Sequence, residues 1–289
     1  MGIRAKPLAS GLILDEDNPI DWDHPSNMGL RSEWVAIRGT QFYGGNQFRD
    51  LSFTKRVRNN GTMMSALKWS GDAPPGGMGS LYFPGSEESV SLPLASYFPR
   101  TAGSLTIRMR FDTNSGIQQL FMWRIDGSNE IGFTEFHGAF GLGFGCSYNA
   151  GGTNKNVNVG SLTAGKWYDV SMTWDAGAAS KLELYIDGDS VGSATGLGAM
   201  SASNPAFYYF GRSNNVGESF VGNMSVAKLS ERAHSTAEIQ SLSAEHLAGN
   251  LNRWNWIGTK TYFGVPAAAS AYNPYDLAHS PKHQTIMAM

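Results

Sequence analysis

Apolar and polar residues alternate one for one along several short stretches of this chain, and a β-strand with one buried face has that period. Through residues 105–111, Leu105, Ile107, Met109 and Phe111 alternate with Thr106, Arg108 and Arg110. Residues 167–175 repeat the pattern with Tyr168, Val170, Met172 and Trp174 on one face, and residues 181–187 with Leu182, Leu184 and Ile186. The turn Asp187-Gly188-Asp189 marks a hairpin, because glycine takes up positive φ at little cost. Further strands are predicted over 80–84, 89–92, 118–125, 131–136, 139–148, 155–160, 206–212 and 219–229. Many short strands with turn residues between them, and no alternating helices, specify an antiparallel sandwich. In the hairpin 167–187, with its short loop at 175–180, the apolar faces are in phase and Trp174 is buried beside Leu182 and Leu184.

Composition agrees. The 289 residues include 35 Gly, 8 Trp, 11 Tyr and 15 Phe, and only 16% are charged, which suits packed sheet faces joined by turns. The formal charge of −2 names no partner; nucleic acid and acidic membranes both need a concentrated positive field. The single cysteine, Cys146, leaves no internal disulfide and sits in an apolar run, where a thiol is ordinarily buried and inert. No stretch approaches the ~20 apolar residues of a membrane span. The first residues lack the apolar run of a signal peptide, so synthesis and folding in cytoplasm are expected.

One helix is marked by the capping-box spacing of Ser235 and Glu238, with Ile239, Leu242 and His246 on one side and Gly249 to end it. Residues 1–27 and 250–289 have no steady period and carry several prolines, and read as extended arms. Their aromatics, Trp22, Trp254, Trp256, Tyr262, Phe263, Tyr272 and Tyr275, suggest docking, either onto their own domain or along a neighbouring subunit. Arg49, Lys55, Arg56 and Arg58 form a basic cluster that is either a solvated loop or a contact with an acidic neighbouring protein.

Six segments in order resemble the laminin-G-like (concanavalin A-like) jelly-roll family. Asp50-Leu51-Ser52 with Asn59-Asn60-Gly61-Thr62 looks like its early turn, and residues 80–85 like its small-x-x-Phe-Asp-Gly strand. Gly165-Lys166-Trp167-Tyr168-Asp169-Val170 and Leu184-Tyr185-Ile186-Asp187-Gly188 match its Trp strand and Asp-Gly hairpin. Phe210-Gly211-Arg212 and the stretch from Phe220 to Leu242 match its closing strands and helix. The resemblance covers about residues 28–245 and implies an all-β jelly-roll sandwich, with a domain over 28–249. The opening Gly29-Leu30-Arg31-Ser32-Glu33-Trp34 and the Gly44-Gly45-Asn46 insertion are similar to jelly-roll proteins encoded beside capsid genes of tailed bacteriophages.

Many members of the family hold Ca²⁺. Here the closing strand reads Gly222-Asn223-Met224-Ser225-Val226-Ala227, without the family's two carboxylates, and Asp50 and Asn60 alone make a poor site, so no cofactor is expected. Glycosidases of this fold need paired carboxylates on one sheet face. The nearest string, Glu183-Leu184-Tyr185-Ile186-Asp187, has Asp187 in the turn and no third acid. His279 and His283 flank Pro281 and read as exposed tail. If the fold presents a sugar site, Trp123, Tyr148, Tyr208 and Tyr209 are the candidate platforms, with core packing as the alternative. The expectation is a non-enzymatic virion protein, a capsid decoration or cement protein whose arms dock on the major capsid protein or other virion subunits, forming homo-oligomers in the assembly. The alternative is a carbohydrate-binding module or virion adhesin that recognises host glycans.

Overall fold

The computed structural model describes residues 30–35, 47–48, 61–64, 67–74, 79–93, 98–136, 143–215 and 217–247. The two expected arms with all their aromatics, the cluster Arg49, Lys55, Arg56 and Arg58, and Asp50, Asn60, His279 and His283 lie outside the described residues.

Two antiparallel sheets face each other. The first is built from β1 (Leu30–Val35), β4 (Lys68–Ser70), β5 (Ser80–Pro84), β7 (Ala102–Phe111), β12 (Trp167–Asp175), β13 (Lys181–Ile186), β14 (Asp189–Thr195) and β16 (Val221–Ser230). Its order is β14-β13-β12-β7-β16-β5-β4, with β1 paired to the second half of β16. The second sheet takes β2 (Gln47–Phe48), β3 (Gly61–Met63), β6 (Val90–Ser91), β8 (Ile117–Asp126), β9 (Asn129–Phe136), β10 (Gly143–Ala150), β11 (Thr153–Asn158) and β15 (Phe207–Phe210). Its order is β11-β10-β9-β8-β15-β6-β3-β2. The fold is the antiparallel sandwich expected from the alternation, in the jelly-roll form that the resemblance implies, with α1 (Thr236–Leu247) near the C-terminal end.

The core is the space between the sheets. Trp174 of β12 pairs with Leu182 of β13, and both are fully buried together with Leu184, as the phase of the hairpin predicts. That hairpin continues into β14 through Asp187 (φ 52) and Gly188 (φ 90), a two-residue turn of the kind that matches strand twist. From the opposing sheet comes Trp123, and Phe98 lies between the two indoles. Its ring is stacked 4.6 Å from Trp123 and 5.6 Å from Trp174, with interplanar angles of 14° and 4°. Trp174 Nε1 donates to the Pro99 carbonyl at 2.8 Å, which anchors the same segment.

The outer face of the first sheet differs from the half-buried expectation. Thr106 and Arg108 of β7 are buried as well as their apolar neighbours. Helix α1 closes this face through Ile239 and Leu242 packed on Tyr185, and Ser243 Oγ donates to Asp169 Oδ2 at 3.3 Å. Asp169 in turn lies 3.8 Å from Arg108, whose pKa burial lowers against the opposing pull of that carboxylate. The capping box forms as predicted: Ser235 N–H donates to Glu238 Oε2 at 2.8 Å, and Glu238 N–H donates to Ser235 Oγ at 3.4 Å.

The Trp174 indole lies flat across Gly103 of β7, and a Cβ there would overlap it. Gly103→Ala therefore forces the indole out of its stack. The expected outcome is a loss of about 1–3 kcal/mol in urea unfolding, the usual cost of overpacking. A variant as stable as the parent would show that the stack is slack.

Candidate functional site

The second sheet carries no helix on its outer face among the described residues. There a groove of about 230 Å³ is lined by β8, β9, β10 and β11 and by the loop after β15, with amides, hydroxyls and charged groups beside the apolar Ile117, Met122 and Ile131. Its geometry starts with a bulge. Gln119 pairs with Thr134 and Phe121 with Phe133, so Leu120 is one residue too many and the alternation of β8 changes phase. Before the bulge Ile117 and Gln119 face the groove; after it Met122 and Arg124 do, while Leu120, Phe121 and Trp123 all point into the core.

Register then sets three rows across the sheet. Gln119, Thr134, Gly145 and Asn158 lie side by side; Met122, Gly132, Ser147 and Asn156 form the next row; Arg124, Glu130, Asn149 and Asn154 the third. Glycines therefore occupy the middle of two rows. A Cβ on Gly145 would overlap the Asn158 amide oxygen, and one on Gly132 would come within 2.8 Å of Gln119 Nε2. The Asn158 and Gln119 amides occupy the space that a Cβ would take at Gly145 and Gly132. Gln119 Nε2 donates to the Phe121 and Phe133 carbonyls, at 2.5 and 2.8 Å, and Thr134 Oγ1 donates to its Oε1 at 2.9 Å.

Charge in the groove is sparse. Arg124 Nε lies 3.6 Å from Glu130 Oε2, and Arg124 also donates to Asn214 Oδ1. Burial raises the Glu130 pKa, Arg124 opposes the shift, and Glu218 adds to it. Glu218 accepts from Ser213 Oγ at 2.5 Å and from Asn215 Nδ2 at 3.0 and 3.1 Å. Among the described residues no group of three or more His, Cys, Asp and Glu side chains could hold a metal ion.

The expected sugar platforms are mostly elsewhere. Trp123, Tyr148 and Tyr208 are each fully buried, so they are core residues and cannot stack on a ligand. Strict alternation puts Trp123 on the same face as Ile117 and Gln119; the Leu120 bulge turns it inward. Tyr148 donates its hydroxyl towards the Arg100 and Gly198 carbonyls, both at 3.1 Å, and burial pushes its pKa up to about 12. Tyr209 alone of the four is half-buried on the outer face, with the Arg212 guanidinium 5.3 Å from its ring, and it stands beside Met122 rather than lining the groove. Cys146 is buried and its thiol pKa is driven up. Glu183 accepts from Lys181 Nζ at 2.6 Å and Ser190 Oγ at 2.7 Å, which holds its pKa below the usual range.

Sequence reasoning missed the residues that do line the groove. The alternation Asn154-Lys155-Asn156-Val157-Asn158 was available as a signal: three amides on one strand face.

Behind the groove, Glu135 of β9 points into the core and is fully buried. Burial pushes its carboxyl up to about 7 from an ordinary 4.5, although Ser161 and the Leu162 backbone donate hydrogen bonds that favour the ion. The folded state thus holds this proton more tightly than the unfolded chain. Its stabilising contribution is complete below pH 4.5 and is lost as pH rises through 7. Glu135→Gln is expected to fall less in stability than the parent between pH 5 and 8, and to exceed it at pH 8 by up to ~3 kcal/mol in urea unfolding. Parallel pH profiles for the two proteins would contradict this.

Comparison with known proteins gave a family match and a set of similar folds. The model of the concanavalin A-like lectin/glucanases superfamily matches residues 84–240. A Trypanosoma rangeli sialidase in complex with sialic acid is similar at a TM-score of 0.57 and 15% identity, over 86% of this chain and 37% of that one. The same enzyme as a covalent intermediate with 2,3-difluorosialic acid gives 0.56 and 16%, over 77% and 34%. Domain 4 of AbnA, an extracellular arabinanase from Geobacillus stearothermophilus, in complex with arabinotriose, gives 0.57 and 13%, over 74% and 98%. The chain thus spans about a third of the length of the sialidases it matches, and at these identities the likeness is one of fold. No curated protein matches the sequence. The expectation of a non-enzymatic protein is corrected by these structures: the fold recurs within sialidase chains and in a domain of an arabinanase, so it gives no ground for excluding an enzyme.

Proposed function

The chain belongs to the concanavalin A-like lectin/glucanase superfamily, and from that premise we propose that it binds carbohydrate in the groove on the outer face of its second sheet. The observation that carries the reading is the groove itself, where side-chain amides pack over two glycines and stand with hydroxyls beside the apolar Ile117 and Met122 on the face of a sheet. Sugars present hydroxyls that donate and accept at once, and amides do the same, so each contact can satisfy both partners. A sheet fixes the positions from which such side chains project. A domain of the same fold in complex with arabinotriose supports the same ligand chemistry.

A capsid-decoration role rests on the two arms and on the resemblance to phage proteins. Those arms lie outside the described residues, so the proposal is built on the groove.

Ser147 stands at the centre of the middle row, half-buried and facing out, with no core contact to lose. Ser147→Trp should fill the groove and leave the sandwich intact. On a glycan array the parent is expected to retain selected glycans and the variant to lose them at least tenfold, with thermal unfolding shifted by no more than a few degrees. Retention unchanged by the substitution would sink the assignment of the groove.

A further inference from the structure

The groove's charge and hydrogen-bonding capacity narrow its ligand further, on the premise that it binds carbohydrate. We infer that it takes an uncharged glycan, read through the hydroxyls by Asn154, Asn156 and Asn158, and that it disfavours sugars carrying a carboxylate.

The three asparagines occupy alternate positions of β11, an edge strand, so their side chains share the outer face at intervals of ~6.8 Å. All three are exposed, and their amides make no hydrogen bond to another described residue. This separates them from the other amides of the groove. Gln119 is held by two carbonyls and Thr134, Asn214 accepts from Arg124, and Asn215 donates to Glu218. The β11 amides are the groups left to meet a ligand. Each offers one acceptor oxygen and two N–H donors, and a hydroxyl can answer both kinds. A carboxylate only accepts, so it can use the N–H donors of these amides but leaves every Oδ1 acceptor without a donor.

Electrostatics point the same way. Arg124 is the groove's one cation among the described residues, and it is already engaged by Glu130 and Asn214. Recognition of a sugar carboxylate ordinarily uses a guanidinium whose donors are open to it. Two carboxylates, Glu130 and Glu218, line the same groove and would repel a second anion at short range. The sialidases share this chain's fold, but the described groove lacks an uncommitted cation for an acidic sugar.

The test uses the full chain on an array that carries neutral oligosaccharides and the same cores capped with sialic acid. The expected result is retention of neutral glycans, with each one bound weakened at least fivefold by the cap. A triple substitution, Asn154→Ala with Asn156→Ala and Asn158→Ala, should lower neutral binding at least tenfold. Because all three side chains are exposed, its thermal unfolding should match the parent's. Preference for the capped forms, or neutral binding untouched by the triple variant while Ser147→Trp still abolishes it, would overturn the inference and leave the carbohydrate reading standing. An array with no glycan retained, or retention insensitive to Ser147→Trp, would remove both.

Discussion

Three aromatic rings join the two halves of this molecule. Trp123 from one sheet, Trp174 from the other and Phe98 between them form a stack within the core. Aromatic pairs of this kind add about 0.5–1.5 kcal/mol beyond the area they bury, and here two such pairs share one ring. The arrangement makes demands on its surroundings. Gly103 must lack a Cβ for the Trp174 indole to lie flat, and β8 must slip by one residue at Leu120 for Trp123 to point inward. That slip also aims Met122 and Arg124 outward, so the packing of the core and the lining of the groove are two results of one bulge.

The sheets are used differently on their outer faces. The first is closed by α1, and its buried polar groups answer one another: Thr106 with Ser171, and Arg108 and Ser243 with Asp169. Buried ion pairs gain little net stability once desolvation is counted, and such groups tolerate the loss of a partner badly. The second sheet mixes polar groups with Ile117 and Met122 around the groove on its outer face, with small residues at the centre and amides at the edge. Among the described residues no helix packs on that face. Glu135 lies just behind it, and its costly ionisation ties the stability of β9 and the loop beyond β11 to pH.

Much of the scaffold was legible in advance because one face of each main strand is apolar. Strands β5 and β12 have the predicted bounds, and the turn at Asp187 and Gly188 and the cap at Ser235 form where their chemistry requires. Strand β14 escaped notice because its residues are mostly exposed and supply no apolar alternation to read. The groove escaped for a related reason. A search for exposed aromatics leads to Trp123, Tyr148 and Tyr208, all three of them core, and passes over glycines and asparagines that carry no hydrophobic signal. The inference that the chain has no enzymatic activity failed differently: motifs absent from a sequence do not limit what a fold is used for, and this fold recurs in sialidase chains.

What the amino-acid order determined by itself is local: period-2 alternation, the turn and cap residues, and hence an antiparallel sandwich with one helix. These depend on contacts between near neighbours and on the sorting of side chains into two faces, and both can be read along the chain. Which polar residues would stand together was decided only in three dimensions. Asn158 reaches Gly145 and Gln119 meets Thr134 through strand register, and one extra residue in β8 reverses the faces from Phe121 to Arg124. A one-residue shift leaves almost no trace in composition, yet it turned Trp123 from a possible platform into the centre of the core.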